Sequence, residues 1–276
     1  MIIEIHDDFD LDKNAESGQC FRWERTGAGK YRILSAAACL NIAALGEGRY
    51  ALDCGEQGFE AHWRDYFDLE ENYGAIRARI DPAADPFLAA AAAQEQGIRI
   101  LRQDPWETLV SFIISQNKNI PAIRRCIERL AELCGEARED AAGRPYFAFP
   151  APEAVAALSE SQLCACALGY RWRYVSGAAR AVCDGALDLE ALRALDAPAA
   201  IETLTGLYGV GVKVASCVAL FGLHCMDAFP RDVWVKRILE REYPAGYSME
   251  AYAPYNGVYQ QYMFAYYRRL AGHREA

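Results

Sequence analysis

Lys213 and Asp232 are the residues of this 276-residue chain whose types and spacing most directly suggest chemistry. They lie in LTGLYGVGVKVASCVALFGLHCMDAFPRD (residues 204–232), where the Gly-rich turn Leu207-Tyr208-Gly209-Val210-Gly211 separates two apolar runs. An amine just inside a helix, with a carboxylate 19 residues later after Pro230, forms a candidate pair of nucleophile and charge stabiliser. The glycines suggest a second capacity. Outward-facing amides of Gly209, Val210, Gly211 and Val212 at a helix start can hold a phosphate without any side-chain cation. Taken alone, such a turn is equally an ordinary glycine-capped hairpin, and Lys213 an ordinary solvated lysine.

Other segments carry weaker local signals. In Ser17-Gly18-Gln19-Cys20-Phe21-Arg22-Trp23, Phe21 and Trp23 alternate as if entering a strand. Near the C-terminus, Gln260 and Phe264 are spaced i,i+4 and share a helix face, while Cys217 falls one turn after Lys213. A polar run, Gln116-Asn117-Lys118-Asn119, follows the helical stretch DPWETLVSFIIS, and Leu168-Gly169-Tyr170-Arg171 interrupts another helical region.

The elements that must position these residues divide into two textures. Residues 1–80 read as β-rich, with short runs at 31–34, 40–45 and 50–52 broken by glycines, as in an antiparallel sheet of hairpins. Alanine-rich helix formers take over near Asp81-Pro82. From residue 103 onward, helical runs follow at 105–115, 119–135, 151–157, 160–167, 171–184, 187–193, 197–206, 212–223, 230–241 and 255–271. The expected architecture is α+β, with an N-terminal antiparallel sheet domain over 1–96 and an all-α domain over 97–276.

Composition narrows the setting. An apolar content of 53% with 24% charged residues describes a folded globular chain rather than a disordered one. No run of about 18 uncharged apolar residues occurs, which argues against a membrane span. The start, MIIEIHDDFD, lacks the basic region of a secretory signal, so a cytoplasmic location is expected. Of the ten cysteines, Cys164 and Cys166 are two apart, which fits no common metal-ligand spacing, and Cys20, Cys126, Cys217 and Cys225 lie in apolar surroundings, where a thiol behaves as a small hydrophobe.

The net charge of −9 argues against a polyanionic partner until its distribution is considered. Residues 1–96 carry 18 acidic and 9 basic side chains, leaving 20 of each in the remainder. Within that neutral part the cations cluster: Lys118, Arg124, Arg125 and Arg129; Arg171 and Arg173; Arg231, Lys236 and Arg237.

Together, LxGxYGVGxKVA and Pro230-Arg231-Asp232 resemble the helix-hairpin-helix motif and catalytic Asp of the DNA glycosylase superfamily, with the lysine of its lyase-competent branch. SGQCFRW is similar to a segment of the 8-oxoguanine DNA glycosylases. The resemblance extends over nearly the whole chain. It implies a β-rich N-terminal domain of TBP-like type and a helical catalytic domain. It also implies excision of 8-oxoguanine from duplex DNA by base flipping, Schiff-base attack by Lys213 and β-elimination, with Asp232 stabilising the sugar cation. Lys213 must be neutral to attack, which burial or nearby positive charge favours.

The same resemblance assigns further roles. The Gly18 carbonyl would accept from N7–H, which the oxidised base carries and guanine lacks. Gln260 would read the Watson–Crick edge, and Phe264 and Cys217 would hold the two faces of the base. Asn117 would fill the space left by the flipped nucleotide, Tyr170 would wedge beside the orphaned base, and Arg171 would join the DNA contacts. No cofactor is implied beyond a structural cation at the hairpin. The C-terminal four-cysteine iron–sulfur cluster of some members is not expected, since no cysteine follows Cys225. The implied partner is lesion-bearing double-stranded DNA, engaged by a monomer, with no membrane.

Two departures point to a prokaryotic-type relative acting on nucleoid DNA. Ala122 stands where eukaryotic members have an arginine that reads the opposite cytosine, so opposite-base preference should be relaxed. Trp234 stands where they have a histidine. A glycosylase for another damaged base, alkylated or oxidised, and a non-catalytic hairpin DNA-binding protein are the alternatives. The second has no use for Lys213 and Asp232 together.

Overall fold

The computed structural model describes residues 1–272. Alternating apolar residues build its N-terminal sheet: β1 (Ile2–Glu4), β2 (Trp23–Gly27), β3 (Lys30–Ser35), β4 (Ala38–Gly46) and β5 (Arg49–Leu52), in the order β1-β5-β4-β3-β2, all antiparallel. Trp23, Tyr31, Ile33, Leu40, Ile42, Tyr50 and Leu52 are buried, as a period of two on one covered face requires. The three runs expected from sequence lie within β3, β4 and β5. The edge strands β1 and β2 carry no comparable apolar alternation, and neither does a small hairpin of β6 (Ala137–Glu139) and β7 (Pro145–Phe147).

Helices of nine residues or more are α1 (Pro86–Gln94), α2 (Pro105–Ser115), α3 (Ile120–Cys134), α4 (Trp172–Cys183), α5 (Ala197–Thr205), α6 (Val212–Phe221), α7 (Val233–Glu242) and α8 (Asn256–Gly272). Their starts follow from capping. Asp85, Asp104, Asn119, Asp196 and Asp232 each accept a backbone N–H through the side chain. The expected helix over 230–241 therefore begins only at Val233, because Asp232 is its extended N-cap and Pro230-Arg231 belong to the preceding loop.

Two hydrophobic cores result. One joins the sheet to Phe59, Trp63, Tyr66, Phe67 and Leu101. The other unites the long helices and also takes in Tyr73, Ile76, Ile80, Leu88, Ala91 and Ala92. Apart from Phe21 in the helical core and Leu101 in the sheet core, the two cores part near residue 70, because α1 packs on α8.

The seam between them is hydrogen-bonded. Gln19 is fully buried; it donates to Arg99 O at 2.8 Å and accepts from Leu101 N at 2.9 Å, and Gln103 donates to Gln19 O at 2.8 Å. These bonds fix the segment that carries Gly18. Phe21, next in that segment, packs edge-on against Phe112 of α2, which stacks on Phe221 of α6.

Candidate active site

The hairpin between α5 and α6 is built around Gly209. Its φ is +86°, and a Cβ there would lie 2.2 Å from the ring of Tyr174, so both conformation and space exclude a side chain. Gly211 is the N-cap of α6, and Val212 and Lys213 are its first residues, whose N–H groups have no intrahelical acceptor. No backbone acceptor inside the hairpin takes the N–H groups of Gly209, Gly211 or Val212, and Val212 and Tyr208 are exposed. Val210 does not. Its N–H donates to Leu207 O at 3.1 Å and its side chain is buried in the core, so it holds the turn rather than a ligand.

Leu204 and Leu207 carbonyls accept from the Leu207 and Val210 amides, and Gly209 O accepts from Gln116. Among the described residues there is no cluster of three or more metal-ligating side chains.

Lys213, half-buried, points its Nζ over the Phe112 ring, 5.3 Å from the centroid. It lines a small cavity of about 50 Å³ with Gly18, Cys217, Asp232, Gln260 and Phe264. Residues from four distant parts of the chain thus meet at one point. Gly18 has φ +80°, and a Cβ there would sit 3.5 Å from Phe264. The Arg268 guanidinium lies over the Phe264 ring, 5.2 Å from its centroid. Asp232 Oδ1 accepts from Val235 N at 2.8 Å, so one oxygen caps α7 while the carboxylate borders the cavity.

Cys217 is the other potential nucleophile here. Burial pushes its thiol up to about 11, outweighing the lowering effect of nearby Lys213, so the sulfur stays protonated at neutral pH. A larger cleft of about 630 Å³ lies elsewhere, between the sheet, α3 and β7. Two of the arginines lining it are already paired, Arg22 with Glu128 and Arg32 with Asp140.

Asn117 is exposed and held in the left-handed region at φ +51°. It donates to the Tyr170 hydroxyl at 3.3 Å, and Tyr170 is half-exposed. Arg171 departs from its expected DNA contact. It is buried, and its guanidinium donates to the carbonyls of Gln116 (2.7 Å from Nε) and Leu168 (3.2 Å) while stacking on Tyr170. It ties the Asn117 loop to the Tyr170 turn. Of the clustered cations, Arg125, Arg129, Arg173, Arg231, Lys236 and Arg237 are exposed.

Comparison with known proteins decides the family. Residues 1–109 match the model of the 8-oxoguanine DNA glycosylase N-terminal domain. Residues 110–249 match that of the HhH-GPD superfamily of base excision DNA repair proteins. The chain belongs to the HhH-GPD superfamily, as an 8-oxoguanine DNA glycosylase-type member. An 8-oxoguanine glycosylase/lyase structure from Clostridium acetobutylicum is 34% identical, with a TM-score of 0.89 over 96% of this chain and 95% of that one. An N-glycosylase/DNA lyase of Saccharomyces cerevisiae is 36% identical over 203 residues. That match covers 69% of this chain and 54% of the yeast protein, so the chain spans about half of that relative's length. A 3-methyladenine DNA-glycosylase from Archaeoglobus fulgidus, 18% identical with a TM-score of 0.77, shares the fold.

Within this HhH-GPD frame, Tyr174 is a residue that motif reading passed over. It packs under Gly209 and meets Tyr170 and Tyr208 edge-on at 5.7 and 5.1 Å. Its i,i+4 spacing from Tyr170 on the edge of α4 was the available signal. Gly209→Ala should therefore disturb hairpin and wedge together. We expect a loss of at least about 2 kcal/mol of stability, from the left-handed backbone and the clash, read from thermal melts. Weaker duplex binding should accompany it, and wild-type stability and affinity would refute the arrangement.

Proposed function

We propose that this chain is a bifunctional DNA repair enzyme that removes 8-oxoguanine from duplex DNA and then nicks the strand. The observation that carries this reading is the convergence of Lys213, Asp232, Gly18, Cys217, Gln260 and Phe264 on one cavity.

The hairpin amides and exposed cations hold the backbone, Tyr170 wedges into the duplex, and the damaged nucleotide turns out of the stack. The cavity is far smaller than the roughly 300–1,000 Å³ of ordinary ligand sites. Seating a purine requires the half-buried Phe264 to move and then stack on the base. The Gly18 carbonyl accepts N7–H. Undamaged guanine presents an acceptor there, and two acceptors facing each other are disfavoured.

As the C1′–N9 bond breaks, its electron pair leaves with the base, and the Asp232 carboxylate stabilises the positive sugar. The neutral Lys213 amine donates its lone pair to C1′ and, after proton loss and ring opening, forms a Schiff base. Removal of a C2′ proton then expels the 3′ phosphate by β-elimination, and water releases the lysine. Cys217, held as a thiol, does not compete. No cofactor takes part; a cation at the hairpin would only support phosphate binding. The protein works as a monomer on chromosomal DNA in a prokaryotic cytoplasm, and among the described residues no helix is long and apolar enough to cross a membrane.

Ala122 lies in the first turn of α3, three residues past the Asn119 cap, and its side chain offers no hydrogen bond to an orphaned cytosine. Duplexes with 8-oxoguanine opposite C, A, G or T, and one with 3-methyladenine, test the whole reading. We expect release and nicking of 8-oxoguanine at rates within about tenfold across the four partners, a span of about 1.4 kcal/mol. Strict dependence on cytosine would overturn the relaxed preference. Release of 3-methyladenine without nicking would instead favour an alkylated-base glycosylase.

A further inference from the structure

Gln260 does not stand alone in the pocket. Gln261, the next residue of α8, is equally buried, and its Nε2 donates to Gln260 Oε1 at 3.1 Å. Gln261 Oε1 is itself buried without a hydrogen-bond partner. Both carboxamides border the cavity, and among the described residues nothing accepts from Gln260 Nε2.

A carboxamide is a directional reader. With its oxygen fixed, it offers one remaining acceptor site and an NH₂ donor side by side. A guanine-type Watson–Crick edge presents an O6 acceptor beside an N1–H donor, which complements that order. An adenine-type edge presents an N6–H donor beside an N1 acceptor and requires the amide reversed. Gln260 can form either pair, and the group that decides between them is whatever contacts its oxygen.

We propose that Gln261 is a positioning residue that sets the sense of the Gln260 amide and so makes the pocket select guanine-type over adenine-type oxidised bases. This rests on the reading of Gln260 as the group facing the flipped base. Reversing Gln260 alone sets two NH₂ groups against each other. Reversing both residues satisfies the pair but moves the buried, unpartnered atom from a carbonyl oxygen to an amide nitrogen with two N–H groups. Unpaired buried N–H groups are tolerated less well than underused carbonyls. The unpartnered Gln261 oxygen is thus the lesser of two losses, and it holds one orientation.

The test compares release of 8-oxoguanine and 8-oxoadenine from otherwise identical duplexes under single-turnover conditions. The variants are Gln261→Met, similar in length but without hydrogen bonds, and Gln261→Glu, whose carboxylate can only accept and so draws Gln260 Nε2 toward itself. Wild type should favour 8-oxoguanine. Gln261→Met should reduce the ratio of the two rates about tenfold, and Gln261→Glu further, since a mismatched polar edge is rejected more strongly than a missing contact. Nicking of a duplex carrying an abasic site, which has no base to read, should match wild type in any variant that folds. Should the buried charge unfold Gln261→Glu, the ratio for Gln261→Met decides alone. An unchanged ratio in a variant that nicks the abasic duplex overturns the assignment of Gln261. Failure of the wild-type protein to release 8-oxoguanine while still nicking abasic DNA overturns the reading of the pocket itself, and this inference with it.

Discussion

Lys213→Gln is expected to abolish borohydride trapping of the protein on duplex DNA containing 8-oxoguanine, while the protein still binds that DNA. Borohydride reduces a Schiff base to a stable amine, so trapping reports the covalent step and nothing else. Lys213 is the amine that borders the cavity, and the other nucleophile there, Cys217, is kept protonated by burial. Glutamine keeps much of the chain length and a hydrogen-bonding end without a nucleophilic amine. Strand nicking should fall by on the order of 10³-fold or more, as when other covalent nucleophiles are removed. Affinity should change by less than about tenfold, because the hairpin amides, Tyr170 and the exposed cations remain. The Phe112 ring beneath the lysine stays buried, so the melting temperature should hardly move. Efficient trapping by Lys213→Gln would remove this residue from the chemistry and direct attention to another amine.

How much of this was legible in the sequence depends on the physical range of each feature. The hairpin could be read because its parts are local: two helical runs, glycines where the backbone turns, and a lysine and an aspartate at fixed distances. The pocket residues Gly18, Cys217, Gln260 and Phe264 are far apart in sequence. They were found through resemblance, since no periodicity connects them. Val210 and Arg171 show the limit of motif reading. A motif places an amide or a guanidinium near a site but does not say which acceptor it faces. Both face carbonyls of the protein itself. Tyr174 and Gln261 escape motif reading for the complementary reason: their roles arise from contacts between neighbouring side chains, and the i,i+4 spacing of Tyr174 from Tyr170 is too common to single it out. The core boundary followed the same rule. Alanine-rich α1 reads as a generic helix, and only its packing on α8 assigns it to the helical core.

Asp232 provides the sharpest separation of structure from catalysis, because the same carboxylate serves both. Its Oδ1 caps α7 through Val235 N, and the side chain also borders the cavity beside Lys213. Asparagine caps a helix about as well as aspartate, whereas alanine does not. Asp232→Asn should therefore melt close to wild type, while Asp232→Ala should lose about 1 kcal/mol, or roughly 2–4 °C for a chain of this size. Base release separates the two roles. Both variants lack the negative charge facing the developing sugar cation, so both should slow release by about 10²–10³-fold, the usual scale for removing one well-placed electrostatic group. Trapping on a preformed abasic site, where the glycosidic bond is already broken, should be impaired much less in Asp232→Asn than release of the intact lesion. If Asp232→Asn instead releases 8-oxoguanine at the wild-type rate, the carboxylate is only a cap. The sugar cation must then be relieved by the pocket's neutral dipoles or by the lone pair of the attacking Lys213 amine.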